Sequence, residues 1–284
     1  MITRRIFAAA FTAALPAQQP AGAEPEFVCP MDRDVRAKFP GKCPRCGMAL
    51  VAGLPDPVEY PVELRVSPRR LRAGEPAELR FRVLDPKTRK PVPKLLEMHE
   101  KLFHLFLISQ DLGFFAHEHP DLQPDGSLVY RAVFPQAGVY RLVCDFYPEG
   151  GTPQMVPKTV IVPGARPAVP QLPVDMRPRQ VEGVQFTLAT EPAEPLAGKK
   201  TLLFLELAGL RKLEPFLGSW AHMLVASADL IDLVHLHPVI AEGGPRMQFN
   251  VIFPRAGVHR VWLQAQDAGR VLTTSFDVPV KLLS

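Results

Sequence analysis

One stretch of seventeen residues occurs twice in this chain. His104–Pro120 reads HLFLISQDLGFFAHEHP and His222–Pro238 reads HMLVASADLIDLVHLHP. His104, Ser109, Asp111, His117, His119 and Pro120 map onto His222, Ser227, Asp229, His235, His237 and Pro238 at a constant offset of 118. Downstream, Phe134, Pro135, Ala137, Gly138, Val139 and Arg141 return as Phe253, Pro254, Ala256, Gly257, Val258 and Arg260 at an offset of 119. A duplication of this kind means one domain used twice. Any fold assigned to the first copy must therefore also suit the second.

Each copy reads as a β-hairpin. His104–Ser109 is apolar, Gln110–Gly113 has turn chemistry with Gly113 free to take positive φ, and Pro120 ends the return strand. A four-residue loop would pair Phe106 with His117, Ile108 with Phe115 and His104 with His119. Paired residues share a face, so His104, His117 and His119 would gather at one end of the hairpin. His222, His235 and His237 would do the same in the second copy. A slip of one residue would separate His104 from the other two. A single histidine in an apolar strand is more often packed than ligating. Three histidines kept at one spacing in two diverged copies favour metal binding. Imidazole donors suit Cu(II) or Zn(II). Met98 and His99, just before the first hairpin, are possible extra donors without an equivalent histidine in the second copy. Met223 should face the core.

Around the hairpins, short alternating runs such as Val62–Val66, Glu78–Val83, Val184–Ala189 and Thr201–Leu207 are punctuated by turns, and the chain holds 32 prolines. The expected fold is mainly β: a small cysteine knuckle followed by two tandem antiparallel β-sandwiches, Ig-like or cupredoxin-like. Repeat one spans 62–163, a proline-rich linker 164–178, and repeat two 179–284. Residues 1–23 read as a signal peptide, with Arg4 and Arg5 ahead of an apolar segment too short to span a bilayer and an Ala-Gly-Ala end. That implies export, periplasmic or extracellular, with no membrane span after cleavage. The net charge of +4 is dispersed and argues for no nucleic-acid partner.

Residues 24–54 carry a second constellation. Cys29-Pro30-Met31 is followed, after thirteen residues between Cys29 and Cys43, by Cys43-Pro44-Arg45-Cys46-Gly47-Met48. A Cys-x-x-Cys-Gly turn plus a third cysteine is a soft-metal knuckle, with Cys29, Met31, Cys43, Cys46 and Met48 as candidate ligands. Phe27–Val51 resembles the short heavy-metal-binding module at the N-termini of some copper-transporting P-type ATPases and of the membrane-fusion subunits of copper/silver efflux systems. The matching residues are Cys29, Pro30, Met31, Pro40, Gly41, Cys43, Pro44, Cys46, Gly47, Met48 and Leu50. Where that family has His-Pro after the first methionine, this chain has Asp32-Arg33. The resemblance implies Cu(I) at the knuckle, with zinc as the alternative, and a copper efflux or delivery protein as partner. A disulfide between Cys43 and Cys46 is the competing reading, and Cys144 reads as a buried thiol. The segment from Leu213 to His222, with its His-x-His-Pro end, is also similar to a β-sandwich module of exported bacterial proteins that accompanies copper-handling domains.

No phosphate loop, nucleophile elbow or HExxH helix is present in the sequence, so no catalytic residue is assigned. Three histidines with an open position could activate water or O2. The nearest acids, Asp111 and Asp229, sit in the turn far from the histidines. The expected function is heavy-metal binding for buffering, delivery or resistance. A scaffold of sandwiches with a structural zinc knuckle is the alternative, and a metal-dependent enzyme ranks below both.

Overall fold

A computed structural model describes residues 27–282 apart from 31, 33, 34, 46, 53–57, 166–170 and 240–242. The signal segment, Met31 and Cys46 lie outside the described residues.

The chain forms a small knuckle and two tandem β-sandwiches. In the first sandwich, one sheet runs Val62–Ser67, Pro76–Val83, Leu128–Val133, Asp121–Leu122. The facing sheet runs Gln154–Val162, Gly138–Pro148, Phe103–Ser109, Phe115–Glu118, with Leu95–Leu96 also paired to Gly138–Pro148. The second sandwich repeats this plan. Its sheets run Arg179–Val181, Val184–Glu191, Lys200–Ala208, Arg246–Ile252 and Leu213–Glu214, Gly257–Asp267, His222–Ser227, Leu233–Leu236, with Arg270–Val280 along Gly257–Asp267.

Alternation builds both cores. Along Pro76–Val83 every second side chain is buried, which sends Leu79 and Phe81 inward against Phe103, Leu105 and Leu107. Phe103 lies 5.4 Å from Phe81 and is stacked 5.5 Å from Phe146. Met223 is fully buried in the second core, beside Val225, Phe249 and Leu263. Cys144 is buried in the first core, and burial pushes its thiol pKa far up. Tyr140, also buried, donates its hydroxyl to the Gln136 carbonyl at 2.8 Å, the tyrosine-corner bond of Ig-like sandwiches. His259 takes the same place in the second copy, 5.0 Å from Phe253 as Tyr140 is 4.7 Å from Phe134.

The hairpin register is Phe106↔His117 and Ile108↔Phe115, as the four-residue loop requires. The recurring serine and aspartate build that loop. Ser109 Oγ accepts the Phe114 N–H at 2.8 Å and donates to Asp111, whose carboxylate accepts the Gly113 N–H at 3.1 Å. Ser227 and Asp229 repeat the arrangement with Asp232 and Ile231. The positive φ falls on Leu112 (60°) and Leu230 (55°), not on Gly113. Ile231 therefore replaces Gly113 without strain, because the loop asks nothing left-handed of that position. Ser109→Ala leaves the half-buried Phe114 N–H without its acceptor. A loss of about 1–2 kcal/mol in urea unfolding is expected.

The segment read as a linker is not all spacer. Leu172 is buried against both sandwiches, and Asp175 exchanges two backbone hydrogen bonds of 3.0 Å with Asp277.

Candidate metal centres at the domain interface

The strand Phe103–Ser109 is buried at every residue, and so is His222–Ser227. Alternation puts only half of each strand in its own core. The other half, Phe106 and Ile108 in one copy and Leu224 and Ala226 in the other, meets across the domain interface together with Val143, Leu112, Leu230 and Trp262. Phe115 stacks on Trp262 at 4.9 Å. Arg260, held by Asp277 through two contacts of 2.7 Å, donates to the Leu112 carbonyl at 2.8 Å. The two hairpins thus face each other, and every histidine except His259 lies at their polar end.

His104, His117 and His119 form the first group. His104 Nδ1 lies 3.0 Å from His117 Nε2 and 3.2 Å from His119 Nε2. Their outer nitrogens explain the arrangement. His104 Nε2–H donates to the Met98 carbonyl at 2.9 Å, and His117 Nδ1–H donates to Gln264 Oε1 at 2.8 Å. Gln264 is itself oriented, because its amide N–H binds Thr273 Oγ1 at 3.1 Å. With those protons spent outward, the inner nitrogens of His104 and His117 both present lone pairs. Two lone pairs 3.0 Å apart repel unless a cation sits between them. Donors on one face of a tetrahedral site with about 2.0–2.1 Å metal–nitrogen bonds stand roughly 3.3 Å apart, so the spacing fits an ion.

His222, His235 and His237 repeat the geometry. His222 Nε2–H donates to the Phe216 carbonyl at 2.8 Å, and His222 Nδ1 lies 3.0 Å from His237 Nε2. His235 Nδ1–H donates to Asp145 at 2.7 Å, which leaves its buried Nε2 without a protein partner among the described residues. In each triad one ligand atom per residue lies within 4.8 Å of the others. The triads are neighbours: His117 is 5.6 Å from His222, and His104 is 5.8 Å from His235, ring centre to ring centre. His99, with φ of 47°, is buried and stacks on His237 at 3.6 Å.

Burial favours the neutral form of His99, His104, His117, His119, His222 and His237. Desolvation first, and neighbouring histidines second, lower His104 to about 4 and His99 and His119 to about 3. His117, His222 and His237 fall well below the usual range for the same reasons. Asp145 is only 2 % exposed, and its carboxylate holds His235 Nδ1 at 2.7 Å. A buried carboxylate is costly without a counter-charge. A divalent cation on the inner nitrogens supplies one.

The knuckle pairs Phe27–Val28 with Arg36–Ala37 and Val51–Ala52. Gly47, at φ 74°, closes the turn that bonds its N–H to the Cys43 carbonyl at 2.9 Å. Cys29, Cys43 and Asp32 form a third possible metal group. Asp32 Oδ2 lies 3.4 Å from Cys43 Sγ and 3.9 Å from Cys29 Sγ, while Oδ1 takes Arg45 at 3.1 Å. Reading the sequence for soft donors passed over Asp32, although it stands where the related module has histidine. Met48 turns elsewhere and packs with Met98, Tyr147 and Leu96 of the first sandwich. A cleft of 620 Å³ runs between knuckle and second sandwich, with Asp32, Arg36 and Arg45 on one wall and His235, His237, Lys200 and Asn250 on the other. Asp111 and Asp229 are held in their turns by Ser109 and Ser227.

No helix among the described residues is long and apolar enough to cross a membrane. Comparison with curated proteins gives no match. Among solved structures, the Yersinia pseudotuberculosis adhesin InvE is similar at 11% identity and TM-score 0.25, over 76% of this chain and 58% of its own. The Escherichia coli adhesin FdeC is similar at 14% identity and TM-score 0.26, over 82% and 68%. The fibronectin(III)-like modules of Clostridium thermocellum CbhA give 13% identity and TM-score 0.22, over 78% and 94%. The family model described as Heavy metal binding domain matches residues 27–52, the knuckle. The two sandwiches match one family model over residues 57–164 and again over 179–282, most of the chain, and the protein therefore belongs to the family described as Domain of unknown function (DUF8832).

Proposed function

We propose that this protein is exported and binds copper, with zinc as the alternative, to buffer or deliver the metal outside the cytoplasm. The observation that carries the reading is the pair of histidine triads in which His104, His117, His222 and His235 have their outer nitrogens tied to carbonyl, amide or carboxylate oxygens, which turns their inner nitrogens toward common points. Such outer bonds are what orient histidine ligands at metal sites. The heavy-metal-binding match at the knuckle supports the same cargo class from an independent part of the chain. Imidazole donors suit Cu(II) or Zn(II), and the thiolates of Cys29, Cys43 and Cys46 suit Cu(I). Asp32 beside the sulfurs adds a hard oxygen donor and favours zinc there more than an all-sulfur set would. The role in this reading is binding rather than turnover. A copper efflux or delivery protein is the partner that would exchange metal with the cleft.

The test is metal content by inductively coupled plasma mass spectrometry after loading with Cu(II) or Zn(II). His119→Ala and His237→Ala should each remove one equivalent, and Cys43→Ser with Cys46→Ser should remove the Cu(I) site. Unchanged stoichiometry in both histidine variants sinks the triads as binding sites.

A further inference from the structure

The outer-nitrogen partners of His117 and His235 do not come from their own domains. Asp145 is paired with His104 in the first sandwich, and Gln264 with His222 in the second. Each reaches across instead. Gln264 accepts from His117 at 2.8 Å, and Asp145 accepts from His235 at 2.7 Å. The exchange is reciprocal, at equivalent positions of the repeat. We infer that the two triads form one paired metal centre that needs both sandwiches, each hairpin histidine being oriented for coordination by the opposite domain.

The inference rests on the metal-binding reading and adds three consequences to it. An ion in either triad ties the domains together, because its ligand is fixed from the other side. His99 of the first sandwich, stacked on His237, adds to that tie. The sites are unequal: a carboxylate makes His235 a stronger donor than the amide makes His117, so the second triad should fill first. Filling it holds the interface that positions His117, which helps the first triad fill, and the help is mutual by linkage.

Zn(II) titration calorimetry on full chains carrying Cys43→Ser and Cys46→Ser tests this. His237→Ala leaves the first triad to be read alone, and His119→Ala leaves the second. In the His237→Ala background, Gln264→Met, which keeps volume and removes the acceptor, should weaken Zn(II) about 10–100-fold. Gln264→Glu should hold or improve affinity. In the His119→Ala background, Asp145→Asn should weaken the second triad by a similar factor while Gln264→Met leaves it alone. Equal affinities for Gln264→Met and Gln264→Glu would overturn the cross-domain role. With both triads filled by Cu(II), the paramagnetic resonance spectrum should show spin–spin broadening absent from the one-triad chains, and two isolated-ion spectra would overturn the pairing. If neither one-triad background binds Zn(II) at all, it is the metal-binding reading that fails, not the exchange of partners.

Discussion

Lowering the pH from about 6.5 towards about 4 is expected to remove several kcal/mol of stability from the metal-free protein. The sign follows from where the protons go. Folded, His104 titrates at about 4 and His99 and His119 at about 3. Unfolded, each returns to about 6.5. Between those limits the unfolded chain binds more protons, so stability is complete above about pH 6.5 and falls as the pH drops. For buried His104 alone the interval corresponds to roughly 3 kcal/mol. Several imidazoles share the effect, against a total of about 5–15 kcal/mol for an ordinary domain, so the interface should open before the lower limit is reached. The groups facing His104 act in both directions: Asp145 favours its protonation, while His235 and Lys101 oppose it. Urea unfolding followed by tryptophan fluorescence reads this directly, because Trp262 lies in the interface cluster. Bound metal should resist the change by competing with protons for the inner nitrogens. A metal-free protein equally stable at about pH 7 and about pH 5 would show that the histidines are not desolvated as the interface implies.

The hairpins were legible because their register is a local matter. Ser109 to Phe114 closes one short loop, and period-two alternation then places three histidines on one face. The turn itself was read for its glycine, yet the left-handed residue is Leu112, since side-chain bonds from Ser109 and Asp111 fix the loop in both copies. The facing of the two domains left a trace that local reasoning did not use. Leu105 to Ile108 and Met223 to Ala226 are apolar without a break, as strands buried on both faces are. Asp145 and Gln264 left another, as polar residues at equivalent places in two buried strands. Neither trace says what covers the second face. That depends on how the copies dock, which no period within one copy encodes. Asp32 was hidden for a different reason: a carboxylate among sulfurs looks like a loss of the family's ligand until the fold turns it between Cys29 and Cys43.

Phe106→Ala should destabilise the protein by about 3–5 kcal/mol and, unlike a core truncation of the same size, disable both triads. Phe106 is buried on the interface side of its strand. Its ring stacks on His117 at 4.3 Å and meets the edge of His235 at 4.9 Å, so one side chain walls both metal groups. Truncation leaves a cavity into which either imidazole can turn, and water entering it competes for Gln264 and Asp145. Phe81→Ala provides the comparison. Phe81 is equally buried, packs on Phe103 in the first core, and sits on the far side of the sheet from the histidines. A similar loss on unfolding is expected there, with the metal stoichiometry of the folded protein unchanged. The pair separates general softening from loss of the interface. If the folded Phe106→Ala chain keeps both ions at parental affinity, the triads do not depend on the sheet-to-sheet packing, and the two domains merely touch where they were inferred to share a centre.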